Sequence, residues 1–403
     1  TYHTQYTTWE NIRGQEGDPW APVVGGAEDA DPNFAAFTEG LRSGLYRQNL
    51  ANRTRVTGKD QYPLVKTFDK GLEFLRENEG KDSFFLQIES FSPHEPFMAS
   101  REFKDMYPGK TKGKKYEWPD YAPVKESAEE ADEIKYSYFA DLTMCDEQLG
   151  RLLDYMDEKN LWEDTMVIVN TDHGYMLGEH GYWAKNYMLC YDEIVHNWWG
   201  KVMMPYFNEI AHTPLFIWDP RFRESAGTSR EALVQTIDLP VTILQFFGID
   251  PAADMQGQDI SRIIKGEKGS RTCGLFGIFG AHLCCTDGRY VYMRAPRNLK
   301  APFHEYTLMP THMMTFFTTK ELESMERHEA FSFTKNCPIM QIDAEPAGRC
   351  MEEGDYLFDL WNDPGQEHPI VSEDITGEME RSMYRLMRLN DAPEELYLRF
   401  GFV

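Results

Sequence analysis

The spacing of apolar positions changes several times along the chain, and each change predicts a different element. Residues 1–59 show little periodicity and many Gly, Pro and Asp, which predicts loops with a helical turn or two. Leu64, Phe68, Leu72 and Leu75 then fall three to four apart, predicting an amphipathic helix over Pro63–Asn78 that Gly80 stops. Ser83–Ser90 is an apolar run of strand length. A longer helix is predicted over Ala128–Lys159, with Ile134, Tyr138, Leu142, Cys145, Leu149, Leu152 and Met156 as its buried stripe. Met166–Asn170 and Pro214–Trp218 are continuous apolar runs of the kind found in strands buried on both faces. Asp238 is placed to cap a helix over Leu239–Phe247 that ends at Gly248.

This order of helices and strands predicts an α/β fold, a mostly parallel sheet sandwiched by helices. The texture changes after residue 265, which divides the chain into an α/β domain over 1–265 and a smaller C-terminal α+β subdomain over 266–403. In the latter, Arg289–Arg294 and Tyr356–Leu360 read as short isolated strands and Glu373–Leu389 as a terminal helix. One internal repeat is visible. Trp183-Ala184-Lys185, Met188 and Glu193-Ile194-Val195-His196 recur as Trp199-Gly200-Lys201, Met204 and Glu209-Ile210-Ala211-His212, a local tandem duplication that offers two candidate lysines, Lys185 and Lys201.

Composition narrows the classes. With 41 Lys+Arg against 66 Asp+Glu, the net charge of −25 repels phosphate backbones at long range and argues against a nucleic-acid partner. No apolar run approaches the roughly 18 residues that span a bilayer. The one basic cluster, Lys110, Lys112, Lys114 and Lys115, lies in a Lys-, Pro- and Tyr-rich excursion loop over Arg101–Val124 and reads as solvated. The seven cysteines are odd in number and contain no C-x-x-C pair, so reduced, mostly buried thiols and a cytoplasmic location are expected. A chain whose first residue is Thr1 leaves a lost signal peptide open.

Candidate chemistry sits in two loops, each following a predicted strand, where open α/β sheets bind ligands. His94 lies between Pro93 and Pro96, which stiffen its loop; a structural turn is the competing reading. Asp172-His173-Gly174 places a carboxylate and an imidazole where both can face one metal ion, with Gly174 permitting a sharp exit; an ordinary turn is the alternative. Lys185 suits an anionic substrate, or is a surface lysine.

Taken together, the string from Asp172 to Lys185 closely resembles the metal-and-substrate motif of the sulfatase family, within the alkaline-phosphatase-like superfamily. Ser92-Pro93-His94-Glu95-Pro96-Phe97 resembles its His-x-Pro loop, and Pro214–Pro220, Thr236–Gly257 and Tyr356–Pro364 are similar to its later landmarks, in order. The resemblance implies an alkaline-phosphatase-like fold and a metal-assisted sulfuric ester hydrolase that uses a formylglycine. Asp172 and His173 would bind a divalent metal, Ca2+ by the family's habit, with Mn2+ or Zn2+ the alternative because His173 is a nitrogen ligand. His94 would contact the sulfuryl group or act as acid toward the leaving oxygen. Lys185, which keeps the family's spacing from Asp172 where Lys201 does not, would bridge sulfate and leaving group. The expected partner is a small-molecule or carbohydrate sulfate ester, with homo-oligomerisation left open. Phosphonate and phosphodiester hydrolases of the superfamily resemble the same motif, and a non-catalytic sulfatase-like binding chain is a third reading.

The family's nucleophile motif, Cys/Ser-x-Pro/Ala-x-Arg, has no counterpart. Cys285-Thr286-Asp287-Gly288-Arg289 has the spacing, but Asp287 stands where Pro or Ala belongs, and Ser43-Gly44-Leu45-Tyr46-Arg47 has the spacing alone. No Asp-Asp pair precedes His94, and Arg13–Trp20 resembles a segment downstream of the nucleophile. The expectation is a chain that begins after the nucleophile and lacks a central strand. Its sheet would then carry unpaired edges, favouring poor solubility or oligomers.

Overall fold

A computed structural model describes residues 2–24, 42–109, 116–185, 205–309, 311–312, 316–344 and 353–403. The lysine cluster over 110–115 and most of the duplication, Lys201 included, lie outside the described residues. Contacts divide the chain into one unit of residues 1–164 and 177–184 and a second of residues 165–176 and 185–403.

The first unit is built on helices. Pro63–Glu77 starts with Pro63 in the first turn, where a missing N–H costs nothing, and buries Leu64, Val65 and Leu72. Ala128–Lys159 starts at a capping box in which Ser127 and Glu130 satisfy each other's backbone N–H, and it ends at Asn160 in the left-handed region. The two pack through Leu64, Val65, Ala140 and Met144, joined by Ala99 and Phe103. The long helix is rotated from the expected stripe: Leu142 is 43 % exposed, while Ile134, Asp141, Gln148 and Tyr155, seven residues apart, are buried. Ser83–Ser90 is not in a strand ladder. Exposure alternates along it from Phe84 to Ser90, as in an extended segment, but no described residue supplies a strand partner, and a ladder needs one.

In the second unit, Val167–Asn170 and Leu215–Trp218 form a two-stranded antiparallel pair, Val167 opposite Trp218 and Asn170 opposite Leu215. Neither strand is buried on both faces as expected. Phe216 is 68 % exposed, because a two-stranded ribbon has no further neighbours to cover it among the described residues. The expected cap at Asp238 is also corrected. Asp238 is the first residue of the helix Asp238–Phe246, and its buried carboxylate accepts from the Gln235 and Gln258 N–H groups at 2.8 Å each and pairs with Arg271. Gly248 beyond that helix does take a left-handed conformation, φ +68°.

The strands expected to be isolated are paired. Tyr356–Asp359 lies against Tyr290–Arg294, followed by Leu283–Thr286 and Gly274–Gly277, in one antiparallel sheet. The helix Glu373–Leu389 packs Met379, Met383 and Met387 onto Tyr292 and Leu357. The thiols are not all reduced either: Cys273 and Cys285, buried, form a disulfide. Their separation of 12 residues is not a recognisable motif, but the hairpin of Gly274–Gly277 on Leu283–Thr286 folds the two together. Among the described residues, Cys145, Cys284 and Cys337 form no disulfide. The disulfide also removes Cys285 as a nucleophile candidate.

Two buried carboxyls in the first unit titrate in opposite senses. Burial works to raise Glu117, but the charges of Arg53 and Lys104 outweigh it and hold the group at about 2. Burial pushes Asp141 up to about 7; the Ser92 hydroxyl, Lys104 and Arg53 oppose this and Glu117 adds to it. Neither carboxyl oxygen of Asp141 finds a donor in good hydrogen-bond geometry. From about pH 4 to pH 7 the native state therefore keeps a proton on Asp141 that the unfolded chain has released, so this group's contribution falls as pH rises. Glu117 contributes above its ordinary carboxylate range and is lost toward pH 2. Asp141→Asn should flatten the decline in urea midpoint between pH 5 and pH 8. Parallel wild-type and variant curves would contradict the assignment.

Candidate active site

Each unit holds part of the predicted chemistry. In the first, the loop after Phe91 carries His94. The His94 N–H donates to the Phe91 carbonyl at 3.0 Å, the Phe97 N–H donates to the Glu117 carbonyl at 2.7 Å, and Phe97 is fully buried. The Ser92–Pro93 and Glu95–Pro96 peptide bonds are both cis. The Gln15 amide donates to the Ser92 hydroxyl at 3.4 Å, tying the segment Arg13–Trp20 to the loop. That segment is itself fixed by Arg13 paired to Asp18, whose carboxylate also accepts from the Gly14 N–H. The His94 ring lies 4.4 Å from the Phe91 ring, and its Nδ1 is 2.7 Å from the Glu95 carbonyl oxygen. A carbonyl only accepts, so Nδ1 carries the proton and the neutral ring has its lone pair on Nε2.

In the second unit, the strand Val167–Asn170 ends at an exposed Asn170 and delivers Thr171, Asp172, His173 and Gly174. Asp172 has a side chain 82 % exposed and accepts from the His173 N–H at 2.9 Å. His173 Nδ1 is 2.9 Å from the Gly174 carbonyl oxygen, so this ring too is protonated on Nδ1 and presents the Nε2 lone pair. Lys185 Nζ stands 3.0 Å from that Nε2, and Asp172 Oδ2 stands 3.5 Å from it. The structure therefore brings Asp172, His173 and Lys185 together. Tyr206 lies close enough that the Asp172 charge, after burial, raises its phenol.

The turn is held by backbone. The Gly174 N–H donates to the Ile210 carbonyl at 2.9 Å, and a Cβ on Gly174 would stand 1.9 Å from the Glu209 carbonyl oxygen. Those carbonyls belong to the short helix Asn208–Ala211, the end of the second duplicated copy. It is pinned in turn by the Gln366 side chain, which accepts from the Asn208 N–H at 2.6 Å, and by Phe207 against Phe358. Sequence reasoning singled out Gly174 for its sharp exit but gave Glu209 and Ile210 no role, since backbone acceptors leave no side-chain signature. It also gave none to Glu95, although that residue stands inside the quoted loop string.

The chemistry of the donors fits a divalent ion at this turn. A neutral imidazole with its lone pair on Nε2 and a neighbouring carboxylate would supply two ligands of a mixed N/O shell. Among the described residues they are not joined by a third carboxylate, thiolate or imidazole.

The Sulfatase family model matches residues 26–249. The chain is 25 % identical over 226 residues to the multifunctional alkaline phosphatase superfamily protein PehA of Trinickia caryophylli, covering 48 % of this chain and 39 % of that one. It is 33 % identical over 151 residues to human iduronate 2-sulfatase, covering 30 % and 28 %. The chain thus spans well under two thirds of these curated relatives. Among solved structures, BT4656 in complex with its substrate D-glucosamine-2-N,6-O-disulfate matches with a TM-score of 0.54 at 14 % identity, over 82 % of this chain and 70 % of that one. The fold is that of the alkaline-phosphatase-like sulfatases.

The closeness of Gly174 to the Glu209 carbonyl makes a sharp prediction. Gly174→Ala must move one backbone segment or the other, at a cost of about 2–3 kcal/mol. Urea unfolding of the variant should show that loss, and an unchanged midpoint would mean the two segments do not meet.

Proposed function

The chain belongs to the sulfatase family, and from this premise we propose that the protein containing it hydrolyses a sulfate ester, on a small molecule or a carbohydrate. The observation that carries the reading is Lys185 Nζ set 3.0 Å from His173 Nε2 beside Asp172, within a string whose spacing follows the family motif. Asp172 and His173 would hold the metal, Ca2+ in the first instance and Mn2+ or Zn2+ in the second. When bound it supplies a positive charge that polarises the sulfate oxygens. Lys185 holds the same oxygens and the bridging oxygen by charge. By the likeness of its loop to the family's His-x-Pro loop, His94 in its imidazolium form would give the Nε2 proton to the alcohol oxygen as the sulfur–oxygen bond to the alcohol breaks and the bond to the attacking oxygen forms. The attacking oxygen is assigned to a hydrated formylglycine, which these 403 residues do not encode in a Cys/Ser-x-Pro/Ala-x-Arg motif.

The likeness to PehA, an alkaline phosphatase superfamily protein, favours one second reading, a phosphonate or phosphate ester substrate on the same groups. Aryl sulfate and aryl phosphonate offered side by side to the nucleophile-bearing enzyme separate the two, and faster phosphonate turnover would reverse the order. In that enzyme Lys185→Ala should lower kcat for the aryl sulfate by about 100- to 1,000-fold, while Lys201→Ala stays within a few fold. Equal losses would mean that the assignment of Lys185 over Lys201 is wrong. Turnover by the 403-residue chain alone would show that the nucleophile is another group.

A further inference from the structure

Glu95 is nearly inaccessible, at 1 % exposure, yet it is a carboxylate in a loop. Its Oε1 accepts from the Tyr121 hydroxyl. Its Oε2 has no hydrogen-bond donor and lies 3.4 Å from His94 Nδ1, the nitrogen whose proton goes to the Glu95 carbonyl. A buried carboxylate oxygen without a donor is expensive unless a positive charge compensates it. The His94 ring, 3.4 Å away, can acquire such a charge. Phe91 lies against the same ring, and the Glu95 carboxylate 3.4 Å away is buried, so its charge is screened less than it would be in water.

We propose that Glu95, anchored by Tyr121, is a positioning residue for His94: it orients the ring and holds it in the protonated, proton-donating form. This deepens the sulfatase reading, in which His94 protonates the leaving alcohol. A backbone carbonyl alone fixes the tautomer; the side chain adds the negative charge that favours the imidazolium. Asking an acid to give up a proton near neutral pH requires its affinity for that proton to be matched to the task, and an adjacent buried carboxylate is one way to do it. The other ionisable groups around the loop are Tyr121 itself, Asp141 beneath Ser92, and Glu117 with Arg53 and Lys104 behind Phe97. Glu117 lies between its two cations, and Asp141 keeps its proton up to about 7.

The test is an NMR titration of the His94 ring in the folded 403-residue chain, which needs no turnover. Glu95→Gln keeps the shape and the backbone carbonyl and removes only the charge. It should lower the His94 midpoint by about one pH unit, a tenfold loss in proton affinity. An unchanged or raised midpoint overturns the proposal. Should Glu95→Gln fail to fold, Glu95→Asp carries the test: the carboxylate withdraws by one methylene, and the midpoint should fall by less than a unit but measurably, no fall again being the overturning result. In the nucleophile-bearing enzyme, Glu95→Gln should lower kcat about tenfold with KM little changed, and the alkaline limb of the pH–rate profile, where a general acid loses its proton, should shift down with the NMR midpoint. A midpoint that moves while kcat does not would leave the Glu95–His94 pair standing and remove His94 as the acid of the proposed reaction.

Discussion

A carbonyl oxygen stands where the Cβ of Gly174 would be, and much of the second unit's chemistry depends on that contact. Because position 174 has no side chain, the turn after the strand Val167–Asn170 can press against the helix Asn208–Ala211 and hand its N–H to Ile210. Pressed there, the Gly174 carbonyl is available to His173 Nδ1. The ring is therefore fixed in one tautomer, and its Nε2 faces Lys185. The order of cause runs from a missing methyl group, through one backbone hydrogen bond and one from the imidazole to a backbone carbonyl, to the orientation of that imidazole toward a lysine.

The His94 loop reaches a comparable fixity by different means. Its backbone is held by Phe91, by Glu117 and by a buried phenylalanine, but what surrounds the imidazole is charge. Three carboxyls lie beneath or beside the loop, and their environments sort them. Glu117 is ionised between two cations, Asp141 is protonated by burial, and Glu95 is held by a tyrosine hydroxyl. Acidic residues abound in this sequence, and the fold gives these three separate work by giving each a different neighbour.

Long elements with unambiguous ends were legible in the sequence. The helices Ala128–Lys159 and Glu373–Leu389 begin at caps that can be read as text, and Pro63 announces its helix. The phase of the long helix was not legible, because Asp141 and Gln148 sit in its buried column and a reader of hydropathy assigns such residues to solvent. Burial of the strands was overestimated for a related reason: an apolar run states what a strand can cover, not how many neighbours it has, and Phe216 remains exposed. The candidate residues were found by a linear string, which reports who is near whom only when the chain turns back tightly. That holds for Asp172, His173 and Lys185. It fails for Tyr121, 26 residues from the carboxylate it anchors, and for Cys273 and Cys285, whose meeting is a property of a hairpin.

That hairpin has a consequence for how the C-terminal sheet responds to damage. Phe279, more than half exposed, lies between the two bonded cysteines in the turn that joins their strands. A protease that cuts after an aromatic residue there would break the backbone without releasing either piece, because the sulfur bridge bypasses the cut. The nicked chain would migrate as one band until a thiol reductant was added and as two afterwards. The strands would also stay in register meanwhile, held across the gap by the same bridge and by the ladder of Leu275 on Cys285. The sheet thus tolerates a severed turn at its outer edge while the helix behind it remains docked.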